Sequence, residues 1–235
     1  MSALDFTPWD LLLRQYVDSQ GRVDYAAWQA QPTQVLSDWL NQMAGVEIAA
    51  LDVDQRLAFW LNLYNALVID RVLQRYPIAS IRPTVLGIPN WLAFFWFFVR
   101  PVYHLGKTRY SLNAIEHDTL RQDFDEPRIH FALVCAAIGC PLLRNEAYQP
   151  QSVRSQLEAD ASRFINNPAK VYYDAQTQTL YCSQILKWYR QDFLKVASSI
   201  PAYVQPYLSF PLPDVSSLTV RYLDYDWSLN QRISS

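Results

Sequence analysis

The chain has 235 residues and a formal net charge of −2, with 20 Lys and Arg against 22 Asp and Glu. Hydrophobic residues make up 51% of it and charged residues 18%, a composition that excludes disorder for most of the chain. There is no basic surplus for binding nucleic acid, and the five glycines are too widely spaced to form a phosphate-binding loop. The three cysteines are too few for a disulfide framework and are typical of a reducing compartment. We therefore predict a cytoplasmic protein with no nucleic-acid partner.

The hydrophobic pattern predicts more helix than strand. Helices are expected over residues 4–17, 51–76, 111–121, 152–166 and 183–193, and strands over 129–135, 171–173, 179–182 and 218–222. The longest helix has Asp52 as its N-cap and Gln55 three residues later, a pairing that forms a capping box. No long polar linker divides the chain, so we expect one domain over residues 1–235. Its fold class is predicted as α+β, mostly helical with a small, mainly antiparallel sheet.

Residues 91–99 form a run of nine apolar side chains that is rich in Trp and Phe. A transmembrane helix needs about 20 such residues, so this run is too short and no transmembrane segment is predicted. A buried element of the core is the favoured interpretation. The alternative is a surface that contacts a partner or a membrane through Trp91–Phe98.

Two asparagines interrupt the apolar centre of the longest predicted helix. Asn62 and Asn65 are three residues apart and therefore lie on one helical face. An unpaired buried amide costs about 1–3 kcal/mol, so both side chains need partners. They either join this helix to the backbone of a loop or form a polar wall of an active site.

Glu116 and His117 stand together in the predicted helix 111–121. Leu112 and Leu120 are four residues on either side of Glu116, which places this carboxylate on an apolar face. Burying an unpaired carboxylate is costly, so Glu116 needs a partner or a catalytic role. His117 lies nearer the edge of that face, where an imidazole can act as a general base or as a structural residue.

Cys135 and Cys140 flank a loop of small residues. In a strand over 129–135, His130 would lie about 16 Å from Cys135, too far to assist it. The spacing of His130, Cys135 and Cys140 lacks the closely paired ligands of structural zinc, so neither a metal nor another cofactor is predicted. The glycine between the cysteines would allow a Cys135–Cys140 disulfide or a redox switch.

Five segments of the chain are similar to sequence blocks of the domain-of-unknown-function 547 family. They are Phe59–Leu67, Ser111–His117, His130–Tyr148, Leu186–Phe193 and Tyr225–Asn230. The segment Tyr16–Tyr25 also resembles the start of bacterial members, so the resemblance extends over nearly the whole chain.

This resemblance implies a papain-like or transglutaminase-like protein with a cysteine nucleophile. Cys135 occupies the position that the family keeps as cysteine, whereas Cys140 stands where plant members tend to have serine. Glu116 matches a position that is acidic in bacterial and plant members, and His117 matches the bacterial form. Cys182 stands where relatives tend to have an aliphatic residue, which implies a packing role.

The leading hypothesis is a cysteine-dependent amide or peptide hydrolase, or an acyl transferase. Cys135 would attack the carbonyl carbon, His117 would carry the proton, and Glu116 or Asn65 would orient the imidazole. Oxyanion donors would be the backbone N–H groups of residues 136–139 together with the Asn62 amide.

A small peptide-like substrate such as glutathione would suit this site, with Arg144 binding a substrate carboxylate. Two alternatives belong to other functional classes. One is a non-enzymatic interaction domain that uses Trp91–Phe98 as its surface. The other is a thiol redox sensor that uses Cys135 and Cys140.

Overall fold

A computed structural model of the chain describes residues 4–31, 34–85 and 88–232. Its α-helices are α1 (Thr7–Tyr16), α2 (Tyr25–Ala30), α3 (Gln34–Met43), α4 (Val53–Leu73), α5 (Trp91–Val99), α6 (Arg121–Asp123), α7 (Val153–Ile165), α8 (Gln184–Trp188), α9 (Arg190–Phe193) and α10 (Ile200–Val204). Its strands are β1 (Thr84–Val85), β2 (Ile88–Pro89), β3 (Tyr103–Leu105), β4 (Thr108–Tyr110), β5 (Val171–Asp174), β6 (Thr179–Cys182) and β7 (Thr219–Tyr222). Short 3₁₀ helices cover Ile48–Ala50, Pro127–Phe131 and Gln205–Tyr207, and a π-helical segment covers Ala114–Leu120.

Helix α4 is the central element of the fold. Its predicted capping box is confirmed, because the Asp52 carboxylate accepts from the Gln55 N–H and the Gln55 amide accepts from the Asp52 N–H. Sixteen of its side chains are buried, as expected for a helix that is apolar nearly all round. It contacts α2, α3, α7 and the π-helical segment.

The sheets are small, and the predicted α+β class is confirmed. Strands β1–β2 and β3–β4 form two antiparallel pairs. In the third sheet β5 pairs with β6 in antiparallel orientation, and β6 pairs with β7 in parallel orientation. The strands predicted over 171–173, 179–182 and 218–222 therefore belong to one mixed sheet.

Buried side chains form two hydrophobic clusters. The larger one is built from α1, α3, α4 and the segments that cover them. The smaller one joins Phe131 to the end of α7, the β5–β6 hairpin and helices α8–α10. Tyr225 packs against both clusters, so the chain around it lies at their junction.

The prediction of a strand over residues 129–135 is wrong. Residues Pro127–Phe131 form a 3₁₀ helix, and residues 132–140 follow as a loop. The backbone of residues 132–134 pairs with a side chain instead of a strand, because Asn65 accepts from the Val134 N–H and donates to the Ala132 carbonyl. The strand-based separation of about 16 Å between His130 and Cys135 therefore does not apply.

The prediction that residues 91–99 form a buried element of the core is also wrong. They form helix α5, in which Phe97 is buried, whereas more than half of the Trp91, Leu92, Phe95 and Trp96 side chains is exposed. One side of this helix packs on the protein, and the other side has no counterpart among the described residues. No helix within residues 4–31, 34–85 and 88–232 is both long and apolar enough to cross a bilayer.

The helix predicted from Ser111 exists, but its hydrogen bonding differs from the expected pattern. The Ser111 hydroxyl accepts from the Ala114 N–H as an N-cap. The following turns are π-helical, and the Arg121 N–H donates to the Glu116 carbonyl five residues back. Wider π-helical turns are rare and recur at functional sites. This one carries both Glu116 and His117.

Candidate functional site

A cavity of about 410 Å³ lies beside the junction of the two clusters. Its walls are mainly aromatic, with a small set of polar and sulfur-bearing side chains, which is the usual make-up of a small-molecule site. The aromatic residues are Tyr64, Trp91, Phe94, Phe95, Phe98, Trp188, Tyr189, Tyr225 and Trp227. The polar and sulfur-bearing residues are Asn113, Glu116, His117, His130, Cys135 and Cys140. The structure therefore brings four of the chemically notable sequence positions, Glu116, His117, Cys135 and Cys140, to one cavity.

Cys135 and Cys140 are joined as a disulfide. Cys135 is partly exposed to the cavity, whereas Cys140 is buried. The Tyr225 hydroxyl lies 3.3 Å from the Cys135 sulfur and 3.0 Å from the Cys140 sulfur. Gly139 is required here, because a Cβ at this position would lie 2.7 Å from the Tyr225 ring.

The loop after Cys135 holds an uncommon backbone conformation. Ala136 has φ 64°, a left-handed value that costs a non-glycine residue about 1–2 kcal/mol and that clusters at functional sites. The N–H groups of Ile138, Gly139 and Cys140 are used within the protein. Those of Ala136 and Ala137 have no protein acceptor in the described ranges. Two backbone donors next to Cys135 thus have no protein partner in the described part of the chain, and both alanines are buried and do not line the cavity.

Asn65 holds the backbone of the segment that leads to Cys135. It is 3% exposed, and its hydrogen bonds to Ala132 O and Val134 N are both 3.0 Å long. The interpretation in which the asparagines join this helix to the backbone of a loop is confirmed for Asn65.

We expect Asn65→Leu to lower the free energy of unfolding by about 2–4 kcal/mol, because it leaves two buried backbone groups unpaired. Equilibrium urea denaturation measures this loss. Asn41→Leu, on an exposed position of α3, is the matched control and should change stability by no more than about 0.5 kcal/mol. Equal stability of the two variants would contradict this role of Asn65.

Glu116 is buried and accepts hydrogen bonds from two tyrosines. The Tyr64 hydroxyl donates to one carboxylate oxygen at 3.0 Å, and the Tyr189 hydroxyl donates to the other. Burial, reinforced by Glu116, raises the pKa of both phenols well above the usual value, so they remain donors. The expected burial of Glu116 is confirmed, but its partners are phenols and not a cation.

The His117 ring accepts a hydrogen bond from the Arg121 guanidinium. The Arg121 Nη1 lies 2.9 Å from His117 Nδ1, so this nitrogen must be the acceptor. The ring proton is then on Nε2. His117 lines the same cavity as Cys135, and no direct hydrogen bond joins them in the described part of the chain.

His130 has the arrangement of a general base. Its Nε2 lies 2.8 Å from a carboxylate oxygen of Asp192, so the ring donates this proton to the acceptor. Its Nδ1 is buried and has no partner among the described residues. Burial lowers the pKa of His130, which keeps the ring neutral with a lone pair on Nδ1.

Asp192 and Tyr189 hold the His130 ring in place. The hydrogen bond from His130 and the paired contact with Arg121 keep the pKa of Asp192 well below its usual range. The Tyr189 ring stacks on His130 with the ring centres 3.8 Å apart. Arg121 thus links His117 to the Asp192–His130 pair.

Two predicted site residues have their side chains committed elsewhere. The Asn62 amide makes two hydrogen bonds with the backbone of Tyr148, so it is not available as an oxyanion donor. Arg144 forms ion pairs with Asp160 and Glu146. Neither Asn62 nor Arg144 lines the cavity.

Sequence reasoning missed Tyr189, Asp192 and Tyr225, and it set His130 aside. The first three lie within the segments 186–193 and 225–230, whose family resemblance was the available signal. Cys182 is buried, as a packing role requires, and burial raises the pKa of its thiol to about 12.

Comparison with known proteins places most of this site in one family. The family described as "Protein of unknown function, DUF547" matches residues 48–165, which are 118 of the 235 residues. The matched region contains both cysteines of the cavity, both of its histidines and Glu116. No curated protein and no solved structure matches the chain.

Proposed function

Because this chain belongs to the DUF547 family, whose description carries no activity, we propose a function from the site alone. We infer that the protein is a cysteine-dependent hydrolase or acyl transferase with Cys135 as its nucleophile. The observations that support this best are the cavity, which both Cys135 and His130 line, and the buried His130 Nδ1, which has no partner among the described residues. A nucleophile, a base and a residue that orients the base are the three parts of such a site.

The reaction begins once a thiol reductant has opened the Cys135–Cys140 disulfide. His130 Nδ1 takes the proton of the Cys135 thiol, and the sulfur attacks the carbonyl carbon of an amide or ester. The C–S bond forms, the bond to the leaving amine or alcohol breaks, and His130 returns the proton to that group. Water, or an acceptor amine or alcohol, then attacks the acyl-enzyme and loses its proton to His130, which restores the thiol.

Backbone N–H groups of the loop after Cys135 would stabilise the oxyanion. The unused donors of Ala136 and Ala137 follow the nucleophile directly, and the left-handed φ of Ala136 sets their orientation. The Tyr225 hydroxyl, already beside both sulfurs, would donate to the thiolate and favour it over the thiol.

The aromatic walls select the substrate class. The Tyr225 ring, whose hydroxyl lies beside the sulfurs, packs at a tilt against Trp188 and Trp227, so the group beside the scissile bond would be apolar or flat. A peptide-like substrate with such a side group fits this cavity. The cavity holds no Lys or Arg among its lining residues, which gives the carboxylates of glutathione no cation there.

The proposal predicts covalent acylation of Cys135. The reduced protein is incubated with p-nitrophenyl acetate, and the modified peptide is identified by mass spectrometry. We expect one acetyl group on Cys135, no acylation of the oxidised protein and none of Cys135→Ala, while Cys140→Ala keeps the reaction. Acylation that is spread over Cys140, or that persists in Cys135→Ala, would refute this assignment.

A redox sensor is the second candidate, and the bond between Cys135 and Cys140 favours it. In that case a peroxide would oxidise the two thiols, with two electrons passing to the peroxide and water leaving. A reversible disulfide in a protein that acylates neither cysteine would favour the sensor over the hydrolase.

A further inference from the structure

Helix α5 presents a contiguous apolar surface to solvent. Trp91, Leu92, Phe95 and Trp96 lie on one helical face and are 58%, 69%, 63% and 56% exposed. We call these four residues the aromatic face. Large apolar side chains that are clustered and exposed mark an interaction surface, whereas single ones do not.

The sequence around this helix has an unusual charge. Residues 71–115 contain no Asp or Glu, although the whole chain has 22 of them. The segment therefore has a formal charge of +6, and the remainder of the chain has −8. Its six cations are Arg71, Arg75, Arg82, Arg100, Lys107 and Arg109.

Several of these cations border the aromatic face at both ends. Arg71, Arg75 and Arg100 line a shallow surface pocket together with Trp96 and Phe97. At the other end the Arg82 guanidinium lies 5.2 Å from the centre of the Trp91 ring. Asp70, just before the segment, offsets part of the charge of Arg71 and Arg75.

We propose that the aromatic face docks on the surface of a bilayer that contains anionic phospholipid. Trp is enriched at the level of the lipid headgroups, and bordering arginines attract anionic headgroups. A nine-residue helix is about 13 Å long, so α5 would lie in the plane of the interface. This combination of Trp, Phe and Leu on one face with cations at its rim favours a lipid surface. An acidic protein partner would bind the cations without needing the apolar centre.

Docking would bring the cavity to the membrane. Trp91 and Phe95 belong to the aromatic face and also line the cavity that holds Cys135. A substrate with an acyl chain would then reach Cys135 from the bilayer. This consequence rests on the proposed acyl-transfer function, whereas docking itself does not.

Co-sedimentation with vesicles tests the docking without any assay of activity. We expect the full chain to bind vesicles of phosphatidylcholine with phosphatidylglycerol, to bind pure phosphatidylcholine more weakly, and to be released by salt. Neither Leu92 nor Trp96 lines the cavity that holds Cys135, and the double variant Leu92→Ser, Trp96→Ser should bind at least about tenfold more weakly. Leu11→Ser, 60% exposed on α1, is the matched control and should bind like the wild type.

A charge reversal tests the cationic rim. Arg100→Glu should weaken binding to the anionic vesicles by about tenfold, because it replaces attraction by repulsion. Arg221→Glu makes the same change in net charge on β7 and should have little effect. Failure of the wild type to bind, or equal binding by the double variant, would overturn the proposal. So would a dimer in sedimentation equilibrium that the double variant dissociates, because the face would then be covered by a second copy.

Discussion

Replacing His130 by glutamine is expected to raise the pH at which Cys135 becomes reactive. In the reduced wild type, iodoacetamide should alkylate Cys135 with a midpoint at or below about pH 7.5, because a neutral His130 in the same cavity can accept the thiol proton and so favours the thiolate. His130→Gln cannot accept the proton, so its midpoint should move to about 8.5, the value of an ordinary cysteine. Mass spectrometry of the Cys135 peptide across a pH series measures both midpoints. Asp192→Asn, which replaces the carboxylate that accepts from His130 Nε2 by a neutral amide, should shift the midpoint in the same direction.

His117→Gln is the matched control within the same cavity. Arg121 already occupies His117 Nδ1, and a glutamine oxygen can accept the same hydrogen bond. The midpoint of this variant should therefore stay below about 7.5. A shift in His117→Gln with none in His130→Gln would reverse the two roles and restore His117 as the base that the sequence suggested. Circular dichroism of each reduced variant establishes that the comparison is made between folded proteins.

Glu116→Gln is expected to affect both stability and reactivity. The amide replaces one acceptor oxygen by a donor, so one of the two tyrosine hydroxyls loses its partner. The free energy of unfolding should fall by about 1–3 kcal/mol. Because Tyr189 stacks on His130, the disturbance reaches the base, and the rate of Cys135 acylation should fall by about 10².

Tyr64→Phe separates these two effects. It removes the other hydrogen bond of Glu116 but leaves Tyr189 and its contact with His130 in place. Its melting temperature should fall as in Glu116→Gln, while its acylation rate stays close to that of the wild type. If Glu116→Gln is destabilised and yet acylates at the wild-type rate, Glu116 is only a structural support and has no place in the site.

Local sequence patterns predicted the elements whose structure depends on near neighbours. The capping box of Asp52 and Gln55 starts α4 where expected, since both residues act on backbone groups of the same turn. Ser111 and Ser183, at the starts of the helices predicted over 111–121 and 183–193, also accept from backbone N–H groups of the first turn. The side-chain spacing also placed Glu116 in a buried position. These features need only the order of residues along the chain.

The geometry around Cys135 depended on residues distant in sequence. Asn65 replaces a strand partner for residues 132–134, and this contact across 67 to 69 positions turned an expected strand into a loop. That change removed the distance argument against His130. Asp192, 62 residues further along, selects the tautomer of His130 and leaves its Nδ1 lone pair open. No local periodicity carries such information.

The sequence by itself determined the α+β class, the central helix α4, the burial of Asn65 and Glu116, and the family to which the chain belongs. Each follows from composition, from the period of apolar residues or from short blocks of sequence. Only the tertiary structure decided which histidine keeps a buried acceptor nitrogen without a partner among the described residues, that Arg144 and Asn62 are engaged elsewhere, and that α5 faces outward. The physical reason is competition for partners: a side chain with several acceptable neighbours binds those that the packing of distant segments brings within reach.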